Sequence, residues 1–187
     1  MFVKPAVLKK LMKRQYKTSG LVVANNGPTI YIGGDWWGIE TLREFIPNQI
    51  KAAIIELTGE FPEEGEVFNA TKDGNQMQMD VNNRVIVETD PDKMRITSIL
   101  INSSNGKRMR ILQDEEKRIV LIDEEFISMV DNTMINAEEG ETSAEGPFYK
   151  NNKINWENNV SRMAVGTIRV SGDMEDMVRS MADIRLV

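Results

Sequence analysis

The chain has 187 residues, contains no Cys and no His, and carries a formal net charge of −6 at pH 7. The missing residue types exclude disulfides, thiolate chemistry, Cys- and His-type metal sites and every catalytic arrangement that needs a His base. An enzyme of this composition would have to work with carboxylates, Lys, Tyr or Ser alone, so we expect a protein that is not an enzyme and uses no cofactor or metal.

Positive charge is concentrated at the start of the chain, where six cations precede the first acidic residue, Asp35. A basic end on an acidic body can steer a charged partner. No stretch approaches the roughly 20 apolar residues that span a bilayer, and no signal peptide is recognisable. We therefore expect no membrane contact and a cytoplasmic location.

The first predicted element is a helix from Pro5 to about Lys17. Pro suits the first helical position, and the apolar residues Leu8, Leu11 and Met12 recur at helical spacing. The cations fill the rest of the surface, so one side should be buried and the other wet and cationic.

Three strands are predicted next: Leu21 to Ala24, Thr29 to Ile32, and a short strand that follows a turn within residues 33–39. Trp36 and Trp37 should point to opposite faces of that extended segment. We expect one Trp to be buried and the other to be half exposed.

A second helix is predicted between Pro47 and Thr58, because Ile50, Ile54 and Leu57 form an apolar stripe at helical spacing. This helix offers a single cation, which favours a scaffold role. The strands predicted after it are Glu66 to Thr71, Gln76 to Val81, Arg84 to Glu88, Arg95 to Asn102, Lys107 to Leu112 and Arg118 to Ile122. Asn105-Gly106 is the strongest hairpin signal among them.

The last third begins with Asp123, the predicted N-cap of a short helix from Glu124 to Val130. Residues 136–146 are acidic and poor in apolar side chains, which predicts a mobile acidic loop. Three strands, Pro147 to Lys150, Lys153 to Trp156 and Arg162 to Val170, and an amphipathic helix, Asp173 to Ile184, complete the chain.

The pattern predicts an α+β fold with largely antiparallel sheets of about nine or more short strands and three to four helices. We expect residues 1–187 to form a single compact unit. Strand groups alternate with single helices, so the chain also divides into two pseudo-repeat halves, 1–90 and 93–187, as an architectural hypothesis without a residue-level repeat.

The basic first helix is the candidate nucleic-acid site. Its cations, which would release counterions from DNA phosphates, are Lys9, Lys10, Lys13, Arg14 and Lys17. The competing interpretation is a solvated face close to an acidic body. Nothing in the sequence suggests that bases are read.

Two other functions remain open. Acidic clusters that include Glu138, Glu139 and Glu141 could mimic DNA phosphates and block a host defence nuclease, although such charges usually serve solubility. Asp92 and the Glu115-Glu116-Lys117 run match the bare outline of a Mg²⁺-dependent nuclease motif. Both parts of that outline fall at predicted turns, which disfavours it.

The final helix is a candidate partner site because Met174, Met177 and Met181 share one face. Flexible Met side chains suit adaptable binding surfaces, although Met at helical spacing is more often core. The partner could be another protein or a second copy of the chain, which would make a homo-oligomer.

Three segments, Ile122 to Val130, Gly146 to Tyr149 and Met163 to Val170, resemble the closing half of a DNA sliding-clamp domain. The basic helix and three strands at the start also resemble such a domain. The resemblance implies that helices line the DNA side and carry positive charge. The general style, which is small, Cys-free, acidic and rich in Asn turns, resembles proteins of bacteriophages of gut Firmicutes. This resemblance implies that the cytoplasm is that of a bacterial host. The leading hypothesis is a non-catalytic, clamp-like protein of phage or mobile-element type that binds DNA or a protein.

Overall fold

The computed structural model describes residues 1–77, 85, 90–103, 106–181 and 184–186. Two predicted strands lie mostly outside the described residues, namely Gln76 to Val81 and Arg84 to Glu88. The same is true of Asn105 in the predicted hairpin turn. Within the described ranges, none of the helices combines the length and the apolarity that crossing a membrane requires.

The helices of the described chain begin and end close to the predicted positions. They are α1 (Pro5–Thr18), α2 (Asn48–Thr58), α3 (Glu124–Met129) and α4 (Asp173–Met181). Pro47 is the N-cap of α2, and Gly59, with φ of 90°, is its C-cap. The predicted cap of α3 is confirmed, because the side chain of Asp123 accepts a hydrogen bond from the backbone N–H of Glu125. Ile184, which the sequence placed in the last helix, is not helical.

The strands form two antiparallel sheets, so the predicted α+β class is confirmed. They are β1 (Leu21–Asn25), β2 (Thr29–Gly33), β3 (Trp37–Leu42), β4 (Val67–Thr71), β5 (Gly74–Met77), β6 (Asp92–Lys93), β7 (Arg95–Asn102), β8 (Arg108–Gln113), β9 (Ile119–Asp123), β10 (Glu145–Lys150), β11 (Lys153–Glu157) and β12 (Ser161–Gly166). One sheet has nine strands in the order β5-β4-β1-β2-β3-β12-β11-β10-β6, and the other has the order β7-β8-β9.

The pair β3–β12 joins two similar units in the large sheet. One unit is α1 followed by the meander β1-β2-β3, and the other is α3 followed by the meander β10-β11-β12. Their third strands pair antiparallel, with Ile39 opposite Met163 and Gly38 opposite Ala164. The two units lie in the two predicted halves, although a true repeat of 1–90 and 93–187 stays a prediction.

The last predicted strand, Arg162 to Val170, is too long by four residues, because β12 ends at Gly166. The chain leaves the large sheet there. The backbone N–H of Ile168 then donates to the carbonyl of Leu121 on β9, at 2.8 Å, so this segment attaches to the small sheet instead.

Side chains that alternate along the strands build the main core on one face of the large sheet. This core contains Ile30 and Ile32 of β2, Ile39 of β3 and Met163 of β12. α1 covers it with Leu8, Leu11 and Met12, and α2 with Ile50 and Ile54. Trp37 is buried here whereas Trp36 is 72% exposed, so the two Trp residues do face opposite ways.

The small sheet is apolar on both faces. One face adds Leu112, Val120 and Ile122 to the main core. The other carries Ile111 and Leu121 in a second apolar cluster. The helix α4 covers that second cluster with Met174, Val178 and Met181. The last helix therefore has an apolar docking site within its own chain.

Candidate nucleic-acid interface

The helices α1, α2 and α3 form a layer over the main core, with α1 in contact with both of the others. The buried residues Leu8, Leu11 and Met12 turn one side of α1 toward the core, as predicted. The cationic residues of α1 lie on its remaining surface, beside α2 and α3. The cationic side of α1 thus lies beside α2, the helix for which the sequence predicts a scaffold role.

Carboxylates of the neighbouring helices pair with three of the five α1 cations. Lys13 Nζ lies 2.7 Å from Glu56 Oε1 on α2. Arg14 Nη1 lies 2.6 Å from Glu125 Oε2 on α3, and Lys10 Nζ lies 3.9 Å from Glu125 Oε1. Part of the cationic side of α1 therefore lies next to acidic groups, as in the competing interpretation.

The pairing changes the pKa of the Glu56 carboxyl. Its hydrogen bond with Lys13 lowers the pKa of the Glu56 carboxyl below the ordinary value, and the charges of Lys13 and Lys9 lower it further. Lys9 is thus close enough to contribute to the potential around α2. Both side chains of the Lys13–Glu56 pair are largely solvated, at 41% and 53% exposure, so the pair contributes little to stability.

Lys9, Lys17 and Lys51 form no ion pair within the described part of the chain. Across α1 and α2 six cations are present, whereas α2 and α3 together supply three carboxylates, which are Glu56, Glu124 and Glu125. Glu124 already forms a two-point ion pair with Arg110 of β8. The helix layer is consequently a positive surface on a protein with a net charge of −6.

The acidic segment differs from its prediction at Glu141. Glu138 and Glu139 are exposed, as an inhibitor surface would require. Glu141 is only 3% exposed, and its carboxylate receives the backbone N–H of Asn136 at 2.9 Å and the side-chain amide of Asn158 at 3.1 Å. It also forms an ion pair with the amino group of Met1. A buried, fully hydrogen-bonded carboxylate cannot present its charge to a partner.

Further hydrogen bonds attach the rest of this acidic segment to the fold. Asn159 Oδ1 accepts the N–H of Thr142 at 2.9 Å, and Asn159 Nδ2 donates to the carbonyl of Gly140 at 2.8 Å. Asn132 Oδ1 accepts the N–H of Ala144 at 2.7 Å. Asn side chains outside the segment thus satisfy part of its backbone, and the mobility of residues 136–146 stays a prediction.

The carboxylates of the nuclease outline are paired with arginines. Asp92 and Glu116 contact Arg118, with the Glu116 pair at 3.7 Å, and Glu115 lies 3.3 Å from Arg95. Among the residues that the structure describes, no group of three or more acidic side chains is placed to hold a metal ion. The nuclease hypothesis gains no support from this geometry.

The Met face of α4 is largely used inside the chain. Met174 and Met181 pack in the second apolar cluster, while Met177 is 37% exposed. Self-association through α4 would therefore compete with the contacts that cover the small sheet.

Sequence reasoning missed Glu56 and Glu125 as partners of the basic helix. Both lie far from α1 along the chain, and the acids of α3 have a local explanation in the dipole of that helix. No short-range pattern connects them to Lys13 or Arg14. Only the packing of the three helices brings these charges together.

Comparison with solved structures gives a weak likeness. No family model and no curated protein matches the chain. A similar solved structure comes from Eubacterium rectale ATCC 33656, where the protein is assigned as a DNA polymerase III beta subunit. The two are 10% identical, with a TM-score of 0.36 over 95% of this chain and 67% of that chain. The resemblance predicted from the sequence thus has a weak structural counterpart, and the chain itself is an α+β protein with a positive helix layer.

Proposed function

We propose that the protein is a non-catalytic binding protein whose helix layer contacts the phosphate backbone of DNA. The observation that supports this function is the surplus of cations on α1 and α2, of which Lys9, Lys17 and Lys51 form no ion pair in the described ranges. Cations held on a rigid helix can follow a row of phosphates without reading bases. The phage or mobile-element origin of the chain remains part of the hypothesis.

The paired cations can also take part. An exposed ion pair is worth about 0 to 1 kcal/mol, so a phosphate can replace the carboxylate at little cost. Lys13, which is 41% exposed and pairs with a 53% exposed carboxylate, is open to such an exchange. Arg14 is 50% exposed, but its partner Glu125 is only 15% exposed, so this pair resists the exchange more strongly. Because the carboxylates compete with phosphate, binding should be weak at physiological salt and should strengthen steeply at low salt.

Fluorescence anisotropy with a labelled duplex, measured over a range of salt concentrations, tests this function. The variant Lys9→Glu/Lys17→Glu removes two cations without breaking an ion pair of the described structure. If both contact phosphates, the slope of log K against log salt should fall by about 2, and affinity at low salt should fall at least about 10-fold.

The matched control is Lys72→Glu/Lys93→Glu, which makes the same change in net charge. Both control residues are exposed and lie outside the helix layer, Lys72 beside β4 and Lys93 in β6. The control should retain most of the affinity. Absence of binding by the wild type at low salt, or equal losses in the two variants, would contradict the proposed function.

A further inference from the structure

The C-terminal segment covers the face of the small sheet that points away from the main core. We call its described residues, 172–181 and 184–186, the strap. Beneath the strap lie the buried side chains of Met109, Ile111 and Leu121. Four side chains of the strap pack against this second apolar cluster, namely Met174, Val178, Met181 and Leu186. The strap therefore shields an apolar face from water.

The strap covers this face without being buried itself. None of the nine residues of α4, all of which the structure describes, is buried, and Met177 and Ile184 are 37% and 54% exposed. Arg179 pairs with Glu175 of the same helix, and among the described residues no ion pair joins the strap to the small sheet. Helices shorter than about 12 residues are marginal in water unless they are packed. α4 is therefore a stable helix only while it is docked.

Gln113 attaches the end of the strap to the small sheet. It follows Met109 and Ile111 at alternate positions of β8, so its side chain lies on the same face, where it is 0% exposed. Its Nε2 donates to the carbonyl of Ile184 at 2.9 Å, and its Oε1 accepts the N–H of Leu186 at 2.8 Å. Both ends of this buried amide lose a partner when the strap leaves, so Gln113 opposes its release.

The small sheet does not need the strap for its strand pairing. β8 lies between β7 and β9 and forms its ladder hydrogen bonds with these two strands. Its other face adds Leu112 and Val120 to the main core, which holds the sheet in place from that side. Segments with few buried contacts open more often than the whole domain unfolds. Release of the strap therefore leaves the sheet folded beneath it.

We propose that the strap opens and closes as a unit and that Gln113 is the latch that holds it closed. In the closed form the side chains of Ile111 and Leu121 are hidden from water. In the open form α4 is unfolded, and this apolar face is accessible while the rest of the chain keeps its fold. The strap is thus a conformational switch that hides or presents one apolar surface of the small sheet.

This switch is independent of the proposed DNA contact. The helices α1 and α2 pack on the main core, whereas the strap packs on the second apolar cluster. DNA binding can therefore fail while the strap opens and closes, and the strap can stay closed while DNA binding persists.

Thiol labelling of the full chain measures the opening, because the chain contains no Cys and a single introduced thiol reacts alone. Ile111→Cys places the thiol under the strap, and Leu112→Cys places it at the next position of β8 but in the main core. Both native side chains are 0% exposed. Urea unfolding of each variant gives the labelling rate that global unfolding alone would produce. Ile111→Cys should exceed that rate at least about 10-fold, whereas Leu112→Cys should match it.

Variants of the latch and of the strap identify what opens. Gln113→Leu should raise the labelling rate of Ile111→Cys at least about 10-fold, because the closed form loses two hydrogen bonds, and should change that of Leu112→Cys far less. Val178→Asp should also accelerate the labelling of Ile111→Cys, because it places a charge against the apolar face. Ser180→Asp is the matched control, since it makes the same change in net charge at an exposed position of α4 and should leave the rate unchanged.

Three results would overturn the proposal. The first is a labelling rate of Ile111→Cys that global unfolding alone explains, because the strap then does not open separately. The second is equal acceleration of Ile111→Cys and Leu112→Cys by Gln113→Leu, which would mean that Gln113 stabilises the whole fold. The third is an equal effect of Val178→Asp and Ser180→Asp, which would mean that the apolar side of α4 does not hold the strap in place.

Discussion

Tyr31 lies against the outer face of the large sheet because Gly33 and Gly38 leave room for its ring. Burial raises the pKa of the Tyr31 hydroxyl, and the negative charge of Glu40 raises it further. Glu40 itself is 8% exposed and accepts hydrogen bonds from the hydroxyl of Thr29 and the N–H of Val85. A neutral phenol is therefore the form that this surface requires.

The raised pKa predicts a loss of stability in alkali. Above about pH 10 the unfolded chain releases the Tyr31 proton while the folded chain still holds it, so the free energy of unfolding falls as pH rises toward the folded pKa. Tyr31→Phe should remove this contribution and change stability at pH 7 by less than about 1 kcal/mol. Urea unfolding at a series of pH values between 8 and 12 measures both quantities.

Tyr149→Phe is the control, and it should leave the alkaline loss in place. Absorbance at 295 nm gives an independent check, because the wild type should show a phenolate component above pH 10 that Tyr31→Phe lacks. If the free energy of unfolding falls with pH equally in the wild type and in Tyr31→Phe, the alkaline loss of stability does not come from Tyr31.

Features that depend on neighbours in the chain could be predicted at this scale, and features that depend on distant partners could not. The cap at Asp123 needs only the N–H of Glu125, two residues away, at 3.0 Å. The turn at Asn151 and Asn152 needs only residues that tolerate positive φ, here 51° and 60°. The burial of Glu141 depends instead on Asn158, which is 17 positions away.

At the scale of elements, the charge of α1 is governed by the helices beside it. The periodicity of apolar residues predicts which side of α1 is buried, and the structure confirms this side with Leu8, Leu11 and Met12. The same periodicity says nothing about which helix lies next to the opposite side. The effective charge of the candidate site therefore follows from packing.

Glu125 offers the clearest test of how the neighbouring helices set the charge of α1, because it contacts both Arg14 and Lys10. Glu125→Gln should free the two cations for phosphate and raise affinity for DNA at low salt. The slope of log K against log salt should steepen by about 1 for each phosphate gained. Anisotropy titrations with the duplex described above measure both changes.

The adjacent variant Glu124→Gln is a matched control on the same helix. It makes the same change in net charge, but its carboxylate pairs with Arg110 of the small sheet and not with α1. Glu124→Gln should therefore leave the salt slope unchanged, provided that circular dichroism shows the native fold. Equal gains in both variants would mean that net charge alone, and not the α1–α3 contact, sets the affinity.

At the scale of the whole molecule, Arg118 joins the two sheets. It lies just before β9 of the small sheet and pairs with Asp92 of β6 in the large sheet. Asp114 at 3.5 Å and Glu116 at 3.7 Å complete the set of carboxylates, and the guanidinium lies 5.7 Å from the ring centroid of Tyr149. The hydrogen bond to Asp92, together with these charges, raises the pKa of Arg118.

Removing this connection should loosen the contact between the sheets. Arg118→Met should lower the free energy of unfolding by about 1 kcal/mol, because its pairs are partly exposed and the ring contact is single. Hydrogen exchange should become faster at Met94, whose N–H donates to Pro147 between β6 and β10. Arg95→Met, which loses only the exposed pair with Glu115, should change neither quantity appreciably. Unchanged exchange at Met94 in Arg118→Met would show that the apolar core alone holds the sheets together.

The class of the fold follows from local patterns, but the arrangement of the sheets does not. Each hairpin pairs neighbours in the chain, so turn residues such as Asn151 and Asn152 are sufficient to predict it. The pairing of β3 with β12 joins residues about 120 positions apart, and no turn or period signals it. The seam that places Gly38 opposite Ala164 therefore could not be predicted from the sequence.

The long separation between β3 and β12 also has a consequence during synthesis. A ribosome that adds about 5 to 20 residues per second needs roughly 6 to 25 seconds to proceed from Leu42 to Gly166. Throughout that interval the nascent chain presents β3 as an unpaired strand edge, which is a template for pairing with other chains. The exposure of this edge ends when β12 pairs with β3. That pairing brings the hydroxyls of Thr41 and Ser161 to 2.6 Å from each other.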